Sequence, residues 1–320
     1  MQIIKAGIIG GAGYTAGELL RILINHPQVE IGFVHSKSNA GKFIYEVHDD
    51  LFGDTDLKFS ETYHSDIDVV FLCVAHGEAK KIVTEFSSSV KIIDLSQDHR
   101  IAANHSFVYG LSEWNKTAIQ NANYVANPGC FATAIQLALL PLAEAGLLSG
   151  DVYASCTTGS TGAGQSLTET SHFSWRQNNL SVYKAFAHQH LAEINQSVQQ
   201  VQEVYTGNLH ILPQRGSFTR GILACITLKS NQSLEQLQSL FEEKYKQESF
   251  VFVSPKNIHL KQVVNTNKCL LYLEKNEEDV MIVSVIDNLL KGASGQAVQN
   301  MNLMFGLPET TGLKLKPSAF

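Results

Sequence analysis

The sequence predicts an α/β protein, a doubly wound parallel sheet followed by a second, α+β domain. Three observations carry that expectation. An apolar strand, Ile3–Ile9, runs through a glycine loop into a helix. Buried-type strands then alternate with helical segments as far as residue 148, which is how a parallel sheet is wound. Beyond Leu148-Ser149-Gly150 the strands follow one another with few helices between them, which suggests an antiparallel sheet. The expected domains are 1–148, completed by 291–320, and 149–290. A chain of 320 residues is long enough to give each its own core.

Composition narrows the function classes. With 44% hydrophobic and 17% charged residues the chain has ordinary globular usage. A net charge of −6 leaves no electrostatic footprint for nucleic acid or an anionic membrane. Met1-Gln2-Ile3-Ile4-Lys5 lacks the regions of a signal peptide, and no apolar run reaches spanning length, so a cytoplasmic location is expected. The cysteines, Cys73, Cys130, Cys156, Cys225 and Cys269, are odd in number and contain no C-x-x-C pair. That speaks for a reducing compartment and against a disulfide framework or a cysteine-only zinc site.

The first loop reads Gly10-Gly11-Ala12-Gly13-Tyr14-Thr15-Ala16-Gly17, followed by a helix from Glu18 to Asn25 whose apolar face is Leu19, Leu20, Leu23 and Ile24. Strand, glycine loop and helix are the setting of a dinucleotide-binding turn, or Rossmann fingerprint. Gly10 and Gly13 would admit a pyrophosphate to the backbone, and Gly17 would let the helix pack close to the sheet. A tight turn without a ligand is the plainer reading. The next strand, Val29–Val34, ends in His35-Ser36-Lys37-Ser38, with no acid to take a ribose 2′-hydroxyl. Hydroxyls and a cation suit a 2′-phosphate, so NADP(H) is expected over NAD, with Ser36 and Lys37 as its readers.

Strands at Val69–Ala75 and Lys91–Leu95, with a helix through Phe86 between them, continue the sheet. A short strand from Asn123 to Ala126 is broken by Pro128-Gly129, and a helical apolar run from Ile135 to Ala145 follows. Cys130 thus lies where a strand turns into a helix N-terminus, whose N–H groups favour a thiolate and offer donors to an oxyanion. The bland alternative is a small buried residue closing a turn. Ligands of such sheets bind beyond the strands' carboxyl ends, where Gly10–Gly13, Ser36, His76, Ser96 and Cys130 fall.

In the second half, a strand at Val152–Cys156 leads into Thr157-Thr158-Gly159-Ser160-Thr161-Gly162-Ala163-Gly164, either an anion-binding nest or a flexible connection. His188-Gln189-His190 precedes a polar helix, Leu191–Val201. Two histidines at this spacing on a strand point the same way and suit zinc, but no further ligands stand nearby, so no metal is expected. One imidazole as acid/base partner of a thiol is the better reading. Arginine is scarce, at Arg21, Arg100, Arg176, Arg215 and Arg220, and the last two lie close together as candidate carboxylate or phosphate clamps, or as surface residues of a hairpin. Strands at Ile222–Leu228, Val251–Val253, Cys269–Leu273 and Val280–Ile286 and a helix at Leu234–Tyr245 follow. The chain closes with the glycine-rich 288–296 and a helix bearing Ala297, Met301, Met304 and Phe305 on one face, which could return to the first domain.

Several segments together resemble the N-acetyl-γ-glutamyl-phosphate reductase family, which belongs with the aspartate-semialdehyde dehydrogenases. They are G-I-I-G-G-A-G-Y-T-A-G-E-L (7–19), D-L-S-Q-D-H-R (94–100), Y-G-L-S-E (109–113), N-P-G-C-F-A-T (127–133), T-G-A-G (161–164), H-x-H (188–190), R-G-I (220–222) and N-L-L-K-G-A-S-G-Q-A-V-Q-N-M-N (288–302). The resemblance covers nearly the whole chain. It implies NADPH-dependent reduction of N-acetyl-L-glutamyl 5-phosphate to the 5-semialdehyde and phosphate in arginine biosynthesis. It implies Cys130 as nucleophile and His188 as acid/base. A sheet-rich second domain often pairs with a copy of itself, so a homodimer or homotetramer is expected. Cofactor candidates are Gly10, Gly13, Tyr14, Thr15, Ser36, Lys37, Gly162, Gly164, Asn288, Lys291 and Gly292; substrate candidates are Arg100, Asn127, His190, Arg215 and Arg220. Where the family reads H-R-H-x-P-E this chain has H-Q-H-L-A-E, and Arg215 is an extra arginine. A branch acting on another N-acyl group, such as succinyl, would account for both. Aspartyl phosphate as substrate, or a non-catalytic NADP-binding regulator, are the rival expectations.

Overall fold

The computed structural model describes residues 3–318 and resolves into two compact units. The first comprises the chain up to Pro128 together with Ala293–Lys314; the second is Gly129–Gly292 with the chain from Leu315. The division thus falls at the Pro128–Gly129 bond, earlier than the expected boundary at 148. The cause is the helix that begins at Cys130: its main packing partners belong to the second unit.

In the first unit the strands are β1 (Ile4–Ile9), β2 (Val29–His35), β3 (Phe59–Ser60), β4 (Val69–Leu72), β5 (Lys91–Asp94), β6 (Val108–Tyr109) and β7 (Tyr124–Ala126). They form one sheet in the order β3-β2-β1-β4-β5-β7-β6, parallel throughout. The helices are α1 (Tyr14–Leu23), the single turn α2 (Ala79–Ile82) and α3 (Ser112–Gln120). Every residue of β4 is buried, as its unbroken apolar run Val69-Val70-Phe71-Leu72 requires of a strand covered on both faces. Strand order reverses between β1 and β4, so the glycine loop after β1 opens at the sheet's switch point.

The second unit begins with α4 (Cys130–Glu144). Then come β8 (Val152–Thr158), α5 (Phe173–Arg176), β9 (Ser181–Val182), α6 (His190–Val201), β10 (Leu209–Arg215), β11 (Ile222–Lys229), α7 (Leu234–Tyr245), β12 (Val251–Val253), β13 (Cys269–Asn276) and β14 (Asp279–Ile286). The sheet order is β12-β13-β14-β11-β8-β10-β9. It is mixed, not purely antiparallel: α6 is a crossover that makes β8 and β10 parallel, and β12 runs parallel to β13. The hairpin that is the alternative reading of Arg215 and Arg220 does not form. β10 and β11 lie on opposite sides of β8, and their connection passes over the strand's end at Thr158. α4, buried from Phe131 to Ala143, packs on β11, β14, α6 and α7.

The last helix, α8 (Gly295–Met304), returns to the first unit against α1, α3 and β5, as expected. It is buried on all sides, so its polar residues need partners. Asn300 donates to the Gly110 carbonyl at 2.9 Å, the Asn302 amide oxygen meets His26 at 3.1 Å, and Gln299 donates to Glu309 at 2.8 Å.

Candidate functional site

The glycine loop of the first unit is shaped by its own backbone. Gly10 has φ +83°, and a Cβ there would lie 2.4 Å from the Cys73 carbonyl oxygen, so only glycine fits between β1 and the end of β4. Gly13 is the N-cap of α1, with no side-chain cap, and a Cβ there would meet nothing closer than the Gly10 carbonyl at 3.8 Å. The space beside it is open, at a helix N-terminus whose N–H groups suit a pyrophosphate. Tyr14 is exposed and Thr15 half-buried at the helix start. These residues fit a dinucleotide. Gly17 serves a different neighbour from the one expected: its missing Cβ makes room for the His48 ring, 2.7 Å away. His48 in turn donates from Nε2 to the Gly11 carbonyl at 2.8 Å, locking the loop from outside. At the end of β2, Ser36 is buried and Lys37 exposed, so Lys37 is the freer candidate for a 2′-phosphate.

Cys130 is the first residue of α4, five residues before the predicted apolar run, and is partly exposed. Burial pushes the Cys73 thiol up to about 12 and raises Cys156 and Cys225, which makes poor nucleophiles of all three. The residues flanking Cys130 touch the histidine pair. A Cβ on Gly129 would lie 2.3 Å from His190 Nε2, and the Phe131 ring meets His188 edge-on at 5.2 Å. Gly292 is glycine because a Cβ there would lie 2.7 Å from that of Cys130; it shapes the thiol's surroundings.

The histidines do not share a strand. His188 lies in the loop before α6 and His190 is the helix's first residue. The His190 N–H donates to His188 Nδ1 at 3.2 Å, which places the proton of a neutral His188 on Nε2. Burial, then the charges of Lys184 and Arg215, lower His188 to about 4, so it is neutral near pH 7. Glu193, one turn into α6, accepts from the Gly129 N–H at 3.0 Å and stands 3.8 Å from His190 Nε2. Tyr183 meets His188 at 6.0 Å between ring centres; burial, then the Cys130 charge, push its phenol up to about 12. The H-x-H-x-x-E spacing held a signal for Glu193. Tyr183 had none.

The other candidates separate by their partners. Arg220 grips Asp287 with Nε and Nη2 at 3.1 and 3.2 Å. Asp287 is wholly buried and also accepts from the N–H groups of Asn265, Leu289 and Leu290. Breaking a buried pair costs about 3–5 kcal/mol, more than the roughly 1.5–3 kcal/mol of one charged hydrogen bond to a ligand. Arg220 is therefore a strut, not the expected clamp. Arg100 donates to the Asn127 and Leu95 carbonyls, both at 2.9 Å, and Asn127 to Ala293 at 3.0 Å; both hold the first unit's rim. The loop after β8 is no nest, since the N–H groups of Gly159, Ser160, Thr161, Gly162 and Gly164 all donate to main-chain carbonyls. Asn288 ties this loop down, donating to Thr161 at 3.0 Å and accepting from the Gly221 N–H at 2.7 Å. Lys291 is fully buried, its ammonium 6.0 Å from the Phe250 ring. Among the described residues, no group of three or more His, Cys, Asp or Glu is placed to hold a metal ion.

Comparison with known proteins accords with this division. Residues 5–122 match the semialdehyde dehydrogenase NAD binding domain, and residues 130–288 the semialdehyde dehydrogenase dimerisation domain. The chain is 56% identical over 321 residues to N-acetyl-gamma-glutamyl-phosphate reductase of Christiangramia forsetii, covering 99% of this chain and 100% of that one. It is 57% identical over 322 residues to that of Bacteroides thetaiotaomicron, with the same coverage. The fold is shared with aspartate semialdehyde dehydrogenase II of Vibrio cholerae, at TM-score 0.75 and 16% identity over 96% of this chain and 99% of that one. The Candida albicans aspartate semialdehyde dehydrogenase, solved with NADP, gives TM-score 0.72 and 14% identity over 95% and 99%. With identity above one half along essentially its whole length, the chain belongs to the N-acetyl-gamma-glutamyl-phosphate reductase family.

Proposed function

We propose that this protein reduces N-acetyl-γ-glutamyl phosphate to the corresponding semialdehyde with release of phosphate, using NADPH, in arginine biosynthesis. The observation that carries the reading is Cys130 at the head of α4, flanked by two residues that touch His188 and His190. The Cys130 thiolate attacks the acyl carbon, the bond to phosphate breaks, and a thioester remains. NADPH, when bound by Gly10, Gly13, Tyr14, Thr15 and Lys37, supplies the hydride. The tetrahedral oxygen then reforms a carbonyl, expelling the Cys130 thiolate and freeing the aldehyde. The proton consumed overall leaves on phosphate. His188 serves as the acid/base through Nε2–H, giving its proton to the oxygen of each tetrahedral intermediate and taking it back as the carbonyl reforms, beside the N–H groups that open α4.

The chain also works as a homo-oligomer, a dimer or tetramer. Behind the helices, the second unit's sheet carries Leu223, Cys225, Leu270, Tyr272 and Met281, all only half-buried, and exposed Tyr153. An apolar face of that kind suits a second copy. Sedimentation at micromolar concentration should give no monomer. A cytoplasmic location fits five cysteines that are all free, and no described helix is long and apolar enough to cross a membrane.

The deciding assay runs the reaction backwards, as phosphate-dependent NADP reduction. Turnover with N-acetylglutamate semialdehyde and none with aspartate semialdehyde is expected. The opposite preference would assign the chain to aspartyl phosphate. NADPH binding without turnover of either, and slow alkylation of Cys130, would mark a regulator.

A further inference from the structure

Two arginines in the second unit have donors with nothing to donate to. Arg176, at the end of α5, is only 9% exposed, yet its Nε and Nη1 are buried without a partner. Its Nη2 reaches Ser181 Oγ at 3.3 Å. Ser181 pairs in register with Arg215 across β9 and β10, which brings the second guanidinium alongside. Arg215 stacks on Tyr183 at 4.6 Å, and its Nε too is buried and unpartnered. Neither guanidinium has a carboxylate at ion-pair distance among the described residues, in contrast to Arg220 on Asp287. Desolvation and the Arg215 charge both work against the charge on Arg176. Two like charges with buried, empty donors are costly unless an anion joins them. Arg215 lies over the Tyr183 ring, and that ring in turn meets His188 at 6.0 Å, so the pair borders the Cys130 centre.

We infer that Arg176 and Arg215 form a carboxylate-binding subsite that holds the substrate of the Cys130 centre by the end remote from the reacting carbon. The inference rests on the function proposed above. Three vacant nitrogens from two planar forks match the two oxygens of one carboxylate. That carboxylate is either the α-carboxylate of the glutamyl group or one that ends the N-acyl chain.

The test is the reverse assay with N-acetylglutamate semialdehyde and N-succinylglutamate semialdehyde, on the wild type, Arg176→Gln, Arg176→Lys and Arg215→Gln. Arg176→Gln should raise the KM for the semialdehyde about 10- to 100-fold, with the KM values for phosphate and NADP unmoved. Arg176→Lys should recover part of the loss. An equal rise for both substrates assigns the pair to the α-carboxylate. A rise for the succinyl substrate alone, with the wild type preferring it, assigns the pair to the acyl carboxylate. An unchanged KM for both, or a rise in the phosphate KM instead, would overturn the inference. Should the wild type turn over neither semialdehyde, the proposed function fails by itself. Calorimetry of N-acetylglutamate and N-succinylglutamate binding, with and without Arg176→Gln, then decides the subsite: weaker binding in the variant supports it, and no difference or no binding overturns it.

Discussion

Two helices in this molecule begin in the same way and are used in opposite ways. α1 and α4 both follow a strand of the parallel sheet, both have a glycine N-cap, and neither has a side-chain cap. At Gly13 the space where a Cβ would stand is open. At Gly129 the His190 ring fills it, and the chain's own Glu193 takes the N–H. The first helix start is left vacant for an anion from outside. The second is walled in by imidazoles and a carboxylate, so what it presents is the side chain of Cys130. The lesson is that a helix N-terminus is a donor set without a fixed purpose; the neighbours decide whether it binds a ligand or frames a nucleophile.

The strongest way to break this contrast is Cys130→Ala. Turnover should fall by roughly 10⁴ or more, while NADPH binding, measured by fluorescence, stays as in the wild type. Retained turnover would end the covalent route and leave the α4 start with no role. His188→Asn comes next, with a loss of about 10²- to 10³-fold in kcat/KM. Because His188 sits at about 4, the wild-type rate profile should run level through pH 6.5. A limb at 6.5 that vanished in the variant would show an ordinary imidazole. The same shift touches stability. Folding lowers this pKa, so the unfolded chain binds the proton more tightly, and the contribution is complete above pH 6.5 and lost as pH falls towards 4. Urea melts of His188→Asn should therefore lose less stability across that window than the wild type.

The two glycines give the direct test. Gly129→Ala drives a methyl into the His190 ring, and overpacking of that kind costs about 1–3 kcal/mol, which would appear as a lower melting temperature together with impaired turnover. Gly13→Ala should be the mildest. The cofactor-free protein should keep its stability to within about 0.5 kcal/mol, and NADPH should bind about tenfold more weakly. Equal behaviour of the two variants in melting and in cofactor titration would erase the distinction between the two helix starts.

Legibility in the sequence followed the same division. The loop after β1 was readable because a phosphate cradle is made of backbone, and what backbone needs is glycine at fixed spacings. Cys130 was readable as a strand–helix junction, although the helix begins there and not at Ile135. Several assignments changed for reasons that no spacing carries. Arg220 is held by Asp287, far along the chain. Lys291 turns into the core. Gly17 yields space to His48 from a separate loop. The mixed sheet was likewise hidden, because a crossover helix shows only its own periodicity and not which strands it joins.

By itself the sequence determined the periodic and backbone-borne features: the parallel sheet, the glycine turn, the cysteine at a helix start and the helix that closes the chain. Those are local, and residue order specifies them through sterics and hydrophobic period. The tertiary structure alone decided which charged groups are spent and which stay vacant, since a guanidinium's partner is chosen by what folding brings beside it. Arg220 found a buried carboxylate, while Arg176 found Ser181 and Arg215 the Tyr183 ring, each with donors left over.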